Sequence, residues 1–154
     1  MSLLQVTPVW VQLLDEGASA GRLTVLELDD AVVAGAPYDG FGVQLSVSVA
    51  LHDPDHQGQP YDNEQEVLAG LRRALDAALT GHGRVVATIT MGGVRELIAY
   101  VRTAAVVQAW QHSPPAGFGT HDLEFALLDD PGWLGLREIA GLLGDQEAPL
   151  RPPS

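Results

Sequence analysis

The most regular pattern in the chain is the alternation from Phe41 to Leu51, where Phe41, Val43, Leu45, Val47, Val49 and Leu51 are interleaved with Gly42, Gln44, Ser46, Ser48 and Ala50. A period of two puts the apolar set on one face of a strand and the small, polar set on the other. The period changes after Asp62. Val67, Leu68, Leu71, Leu75, Ala78 and Leu79 recur at three- and four-residue intervals, which predicts an amphipathic helix with Arg72, Arg73 and Asp76 off its apolar stripe. Asp62 with Gln65 has the spacing of a capping box, Glu64 and Glu66 suit the positive end of the helix dipole, and Gly81 or Gly83 is the natural stop.

Alternation returns between Arg84 and Met91, with Val85, Ala87 and Ile89 opposite Val86, Thr88 and Thr90. Gly92-Gly93 can supply the positive φ of a two-residue hairpin turn, and Val94 to Arg102 is the returning strand. Val106, Val107 and Trp110 make the apolar side of a short helix that Pro114-Pro115 ends. Leu123, Phe125 and Leu127 mark another strand, and Trp133 to Leu143 a last helix with Leu134, Ile139, Leu142 and Leu143 apolar. Upstream, Trp10 to Leu14 and Arg22 to Leu28 read as a hairpin, followed by a loop from Asp29 to Gly40.

From Phe41 to Leu128 the predicted order is strand, helix, strand, strand, helix, strand, which is the split βαβ or ferredoxin-like unit. The expected fold class is therefore α+β: an antiparallel ferredoxin-like sheet with the unit's strands in the order fourth, first, third, second, and both helices on one face. An N-terminal β-hairpin and a C-terminal helix are additions to it. A single α+β domain is expected over residues 1–143, with a flexible tail over 144–154 carrying Pro149, Pro152 and Pro153.

Composition narrows the function classes. A chain of 154 residues, 46% apolar, is of a size to bury one core. No apolar run approaches the ~20 residues that span a bilayer, and Met1 to Val11 has no basic segment ahead of an apolar one, so a cytoplasmic protein without membrane contact is expected. The absence of cysteine removes disulfides, thiolate metal sites and cysteine nucleophiles. A net charge of −12 repels phosphate backbones, so nucleic acid is not an expected partner. All basic residues are arginine, a residue suited to bidentate anion recognition, although genomic base composition produces the same bias.

Trp10, then Glu66, Leu68, Leu71 and Leu75 on the helix, then Thr90-Met91-Gly92-Gly93-Val94-Arg95-Glu96 followed by Tyr100, form a spaced pattern over roughly the first four-fifths of the chain. With it the chain resembles a bacterial family catalogued as domain of unknown function 695. The Gly-x-Arg-Glu-x-x-x-Tyr spacing is also distantly similar to the ribonuclease E inhibitor protein B family, whose members inhibit that enzyme by binding it. The resemblance implies a fold and a habit of protein binding, and no catalytic residue.

Two groups of residues are candidates for function. His52-Asp53-Pro54-Asp55-His56 offers two imidazoles and two carboxylates, His52, Asp53, Asp55 and His56, all ligand types for zinc or manganese. A solvated acidic loop has the same composition. Arg95, Glu96, Tyr100 and Arg102 lie on or beside the strand after the glycine turn, where alternation puts Glu96, Ile98, Tyr100 and Arg102 on one face. With helices on the opposite face, that surface is open and polar, shared with Gln44, Ser46, Ser48, Thr88 and Thr90, and could hold a small ligand or a partner loop. The ordinary alternative is a cross-strand ion pair of Glu96 with Arg102 or Arg84, worth about 0.2–1 kcal/mol. The strand group is preferred because rigid elements hold geometry better than loops.

Other motifs carry less. His82, His112 and His121 sit in connections with no nucleophile to pair with, Ser46 and Ser48 have no glycine elbow, and Gly117-Phe118-Gly119 lacks the lysine and helix of a phosphate cradle. Trp110 and Trp133 read as core anchors. The function expected is a non-catalytic protein-binding or regulatory module, with no cofactor. The alternatives are a small-ligand-binding protein with a pocket lined by Trp10, Tyr100 and an arginine, and a metal-dependent hydrolase using the His52 to His56 loop. A protein partner is expected, and a homodimer too, since the uncovered sheet face would expose Val86, Ile98, Ala126 and Leu128.

Overall fold

The computed structural model describes residues 2–15, 23–111 and 121–144. A short 3-10 turn at Leu3–Gln5 precedes strand β1 (Trp10–Asp15), which pairs with β2 (Thr24–Asp29). Helix α1 (Asp30–Gly35) follows directly, then β3 (Val43–Ala50), α2 (Asp62–Ala78), β4 (Gly83–Met91), β5 (Val94–Val101), the single turn α3 (Ala105–Gln108), β6 (Leu123–Asp129) and α4 (Leu134–Gly144). Every neighbouring strand pair is antiparallel, and the sheet runs β1-β2-β4-β5-β3-β6. The chain is thus α+β with a six-stranded antiparallel sheet. The tail expected beyond Gly144, and the Pro114-Pro115 stop, lie outside the described residues.

The alternation of β3 and the stripe of α2 build one core. Leu45, Val47 and Val49 with Leu97, Ala99 and Val101 of β5 pack under Leu68, Leu71, Leu75 and Leu79, and Val107 of α3 closes the end. Val67 does not join them: it is 49% exposed, because the buried stripe follows 64, 68, 71 and 75 and leaves Val67 one position to the side. The capping box does not form either. Tyr61 occupies the N-cap without a side-chain bond, since the Gln65 carboxamide is drawn away to Arg95.

Helices α2 and α3 share the first core, as expected of the unit's two helices, but the second face of the sheet is covered where it was expected to lie open. A second core joins Leu3, Val11, Leu13, Leu26, Leu28 and Val32 to Tyr38, Phe41, Ile98, Tyr100, Trp133 and Leu136. Helices α1 and α4 and the N-terminal turn form this layer. Helix α1 falls where a loop was expected. Asp29 caps it by accepting from the Val32 N–H, and six residues are too few to show a helical period. This layer buries Val86 and Ile98, two of the four residues on which a homodimer was expected, and leaves Ala126 and Leu128 exposed. Apolar side chains stay exposed on the edge strand β6, where Leu128 is 58% accessible.

A register shift makes the two cores possible. Val85 pairs with Ala99, but the next partner of β5, Ile98, pairs with Ala87, so Val86 is an extra residue in β4. Such a bulge reverses the faces of everything that follows. Val86, Ala87 and Ile89 join the second core, whereas Thr88 and Thr90 stand opposite Leu97 and Arg95 on the α2 side. Gly92 and Gly93 then turn the chain with φ of 60° and 81°, as a two-residue hairpin requires.

Buried polar groups lock the second layer. Asp29, wholly buried, receives the Arg84 guanidinium at 2.6 Å and the Val9 N–H at 3.0 Å, while Arg84 also donates to the Leu3 and Val6 carbonyls. Tyr100 stacks on Trp133 at 3.7 Å between ring centres and donates its hydroxyl to Asp130 at 2.7 Å. Asp130 in turn accepts from the Leu134 and Gly135 N–H groups at the start of α4. Burial pushes the Tyr100 phenol well above its ordinary pKa, helped by the Asp130 carboxylate. Burial acts to raise Asp130 as well, but the Tyr100 hydroxyl and the two N–H donors outweigh it and hold the carboxyl below its usual value.

Two expectations follow. Leu71→Ala should cost about 2–5 kcal/mol of stability, read as a lower urea midpoint at unchanged slope. Asp130→Asn should cost about 1–3 kcal/mol at neutral pH. Because the folded pKa of Asp130 is depressed, that contribution is present above the unfolded value and fades as pH falls below about 4. Urea titrations of wild type and variant at neutral and acid pH should therefore converge toward the acid end.

Candidate functional site

The end of β3, the first turn of α2 and the start of β6 meet at one point. Pairing of β3 with β6 extends past the strands through the Ala50 N–H to the Asp122 carbonyl, which brings His121 beside the Leu51-His52 step. Glu64 lies on the buried stripe of α2, one helical turn before Leu68, and reaches the same point from the helix side. The His52 N–H donates to Glu64 Oε2 at 2.6 Å, the Asp53 N–H approaches Oε1 at 3.5 Å, and His121 Nε2 lies 2.7 Å from Oε2.

The two imidazoles stack face to face, with centres 3.8 Å apart and planes 6° from parallel. Their exposures differ: the side chain of His121 is 1% accessible and that of His52 is 54%. His121 Nδ1 is buried with no hydrogen-bond partner among the described residues. Burial works to raise the Glu64 pKa, yet the His52 N–H, the His121 ring and the Asp53 N–H together hold the carboxyl below its ordinary value. One ligand atom from each of His52, Glu64 and His121 falls within 4.8 Å of the others. A cavity of about 190 Å³ opens beside them, lined also by Asp53, Tyr61, Asn63 and Val67.

The metal residues expected from sequence are divided by this geometry. His52 is in the cluster. Asp53 contributes its N–H to Glu64 and is exposed on the cavity wall. Asp55 is committed to its own loop: its carboxylate accepts from the Gln57 and Gln59 N–H groups at 2.8 and 2.9 Å, and the Gln59 bond leads in lowering its pKa. His56 is exposed beside it and takes no part in the cluster. The sequence marks Glu64 only as a helix-dipole partner and His121 only as a histidine in a connection. The signal for Glu64 was present, since an acid at the stripe position before Leu68 must be buried. No local signal marks His121, whose place depends on the distant pairing of β6 with β3.

The strand group is dispersed as well. Arg95 faces α2, 7% exposed, and donates to Thr90 Oγ1 at 2.7 Å and Gln65 Oε1 at 2.8 Å. Tyr100 is in the core of the other face. Glu96 is half-buried on β5, and Arg102 is exposed with its guanidinium over the Phe41 ring at 4.3 Å. The ion pair of Arg84 is with Asp29 and not Glu96. No open polar sheet surface unites these residues, because α1, α4 and the N-terminal turn cover the face on which it was expected. Trp10 stacks under Arg72 at 3.7 Å on the α2 side, so it shares no pocket with Tyr100.

Among the described residues no helix is long and apolar enough to cross a membrane. No curated protein and no solved structure matches the chain. A family model described as a family of unknown function, DUF695, matches residues 18–138 and so takes in β2 to β6, both α2 and the histidine cluster, and the chain belongs to that family.

Proposed function

We propose that this domain is a binding module for a divalent transition-metal ion of the zinc kind, held by His52, Glu64 and His121. The observation that carries the reading is the convergence of one ligand atom from each of His52, Glu64 and His121 within 4.8 Å, two of the three side chains being buried. Two imidazoles and a carboxylate are the donor set that suits zinc.

Spacing supports the assignment. Tetrahedral zinc with bonds of ~2.0–2.2 Å needs ligand atoms roughly 3.3 Å apart. The 2.7 Å from His121 Nε2 to Glu64 must open slightly, and the 4.0 Å from His52 Nδ1 to Glu64 must close. His52 can swing, because its side chain is largely exposed. Three protein donors leave a fourth position toward the cavity, for water or for a donor from a partner protein, and this keeps the non-catalytic protein-binding role expected of the family resemblance. We read β3, α2, β4, β5, α3 and β6 as a ferredoxin-like unit carrying the site at one end of the sheet, on the ground of their element and strand order.

Calorimetric titration of the full chain with zinc should saturate at one equivalent, and magnesium should not compete. His52→Ala, at an exposed position, should leave the fold intact and weaken zinc by more than the roughly 10–100-fold that losing an outer-shell partner costs. Glu64→Gln should weaken it likewise. Absence of saturable zinc binding, or equal binding by wild type and His52→Ala, overturns the reading.

A further inference from the structure

Arg95 is a buried cation with no counter-charge in contact. Both acceptors it finds, Thr90 Oγ1 and Gln65 Oε1, are neutral, and among the described residues no carboxylate lies within 4.0 Å of it. These acceptors use two of the five N–H donors of a guanidinium. Burying a charge with no partner in contact is costly: desolvation pulls the Arg95 pKa below the ordinary arginine value, although the Glu27 and Glu64 carboxylates act at longer range to raise it.

The guanidinium lines a cleft of about 300 Å³ between α2 and the sheet, a volume at the lower end for small-molecule sites, which run to about 1,000 Å³. Leu68 and Leu97 give the cleft an apolar wall, the Thr88 hydroxyl adds a polar point, and Ala69 stands at the exposed rim. Arg72 and Arg73 also line it, against Glu27 and Asp76. Glu27 is engaged by Arg72 at 3.8 Å, and burial raises the pKa of Asp76, whose carboxylate accepts the Val85 N–H. The cleft is therefore a positive spot on a chain of net charge −12.

We propose that this cleft binds a small organic monocarboxylate, its two oxygens taken by the free N–H fork of Arg95 and its apolar body lying against Leu68 and Leu97. A planar carboxylate matches the planar fork, whereas a tetrahedral phosphate has no use for the apolar wall. This inference is independent of the metal reading, since none of His52, Glu64 and His121 lines the cleft.

The test uses benzoate as the probe on the full chain, with benzyl alcohol and inorganic phosphate as controls at equal ionic strength. Benzoate should raise the unfolding temperature saturably at millimolar concentration and shift the Arg95 Nε–H resonance, and neither control should. Ala69→Leu, which fills the rim from an exposed helical position, should abolish both effects without lowering the stability of the free protein. Arg95→Lys keeps the charge but loses the fork, and should weaken benzoate by roughly tenfold or more. No saturable effect of benzoate, equal effects of benzyl alcohol or phosphate, or an Ala69→Leu variant that responds as wild type does, overturns the proposal.

Discussion

The extra residue at Val86 decides what both faces of the sheet can be. Before it, β4 sends Val85 toward α2; after it, Ala87 and Ile89 go to the opposite side and Thr88 and Thr90 take the α2 side. Without the shift, two threonines would face the Trp133 and Tyr100 layer, and Arg95 would look across at an aliphatic side chain instead of the Thr90 hydroxyl. A bulge normally increases the local twist and re-aims side chains. Here it re-aims a whole half-strand, so beyond the bulge β4 sends Ala87 and Ile89 to one core and Thr88 and Thr90 to the other.

The first turn of α2 spends that arrangement twice. Successive residues on a helix point about 100° apart, so Glu64 reaches toward His52 and His121 while Gln65 reaches to Arg95. Neither side chain serves the helix end, which starts on Tyr61 without a side-chain cap. The helix is held instead by the burial of Leu68, Leu71, Leu75 and Leu79, each removing apolar surface from water. Packing supplies the stability, and the polar residues of the first turn are released to bond His121 on one side and Arg95 on the other.

How much of this was legible depended on the range of the interaction. The strands β3, β5 and β6 and the helices α2 and α4 follow from periodicity, because one buried face writes its period into the sequence. The antiparallel order of β4, β5, β3 and β6 follows from element order. Val86 could not be read, since Val85 and Val86 are equally apolar and strict alternation assigns either to the core. The second layer was hidden for a related reason: Tyr100, Trp133 and Asp130 meet only when β5 and α4 come together, and each looks locally like an ordinary surface or anchor residue. Of the three clustered residues, His52 stood out by its neighbours, of which Asp55 serves its own loop and Asp53 gives its N–H to Glu64.

That loop explains how an exposed histidine can still be well placed. Residues after β3 close on Asp55, and Gly58 rests against the glycine turn between β4 and β5, where the Gly93 N–H bonds the Gly58 carbonyl. A Cβ on Gly58 would stand 2.7 Å from the Gly92 nitrogen, so the close approach needs glycine there, and its φ of 80° needs it again. The Leu51 N–H donates to the Gly93 carbonyl, and the His52 N–H to Glu64. The backbone of His52 is thus fixed from both sides while its imidazole faces solvent on one edge. On the proposed metal reading, a side chain with a fixed root and a free ring can close on an ion at little entropic cost, and the buried His121 supplies the fixed half of the same grip.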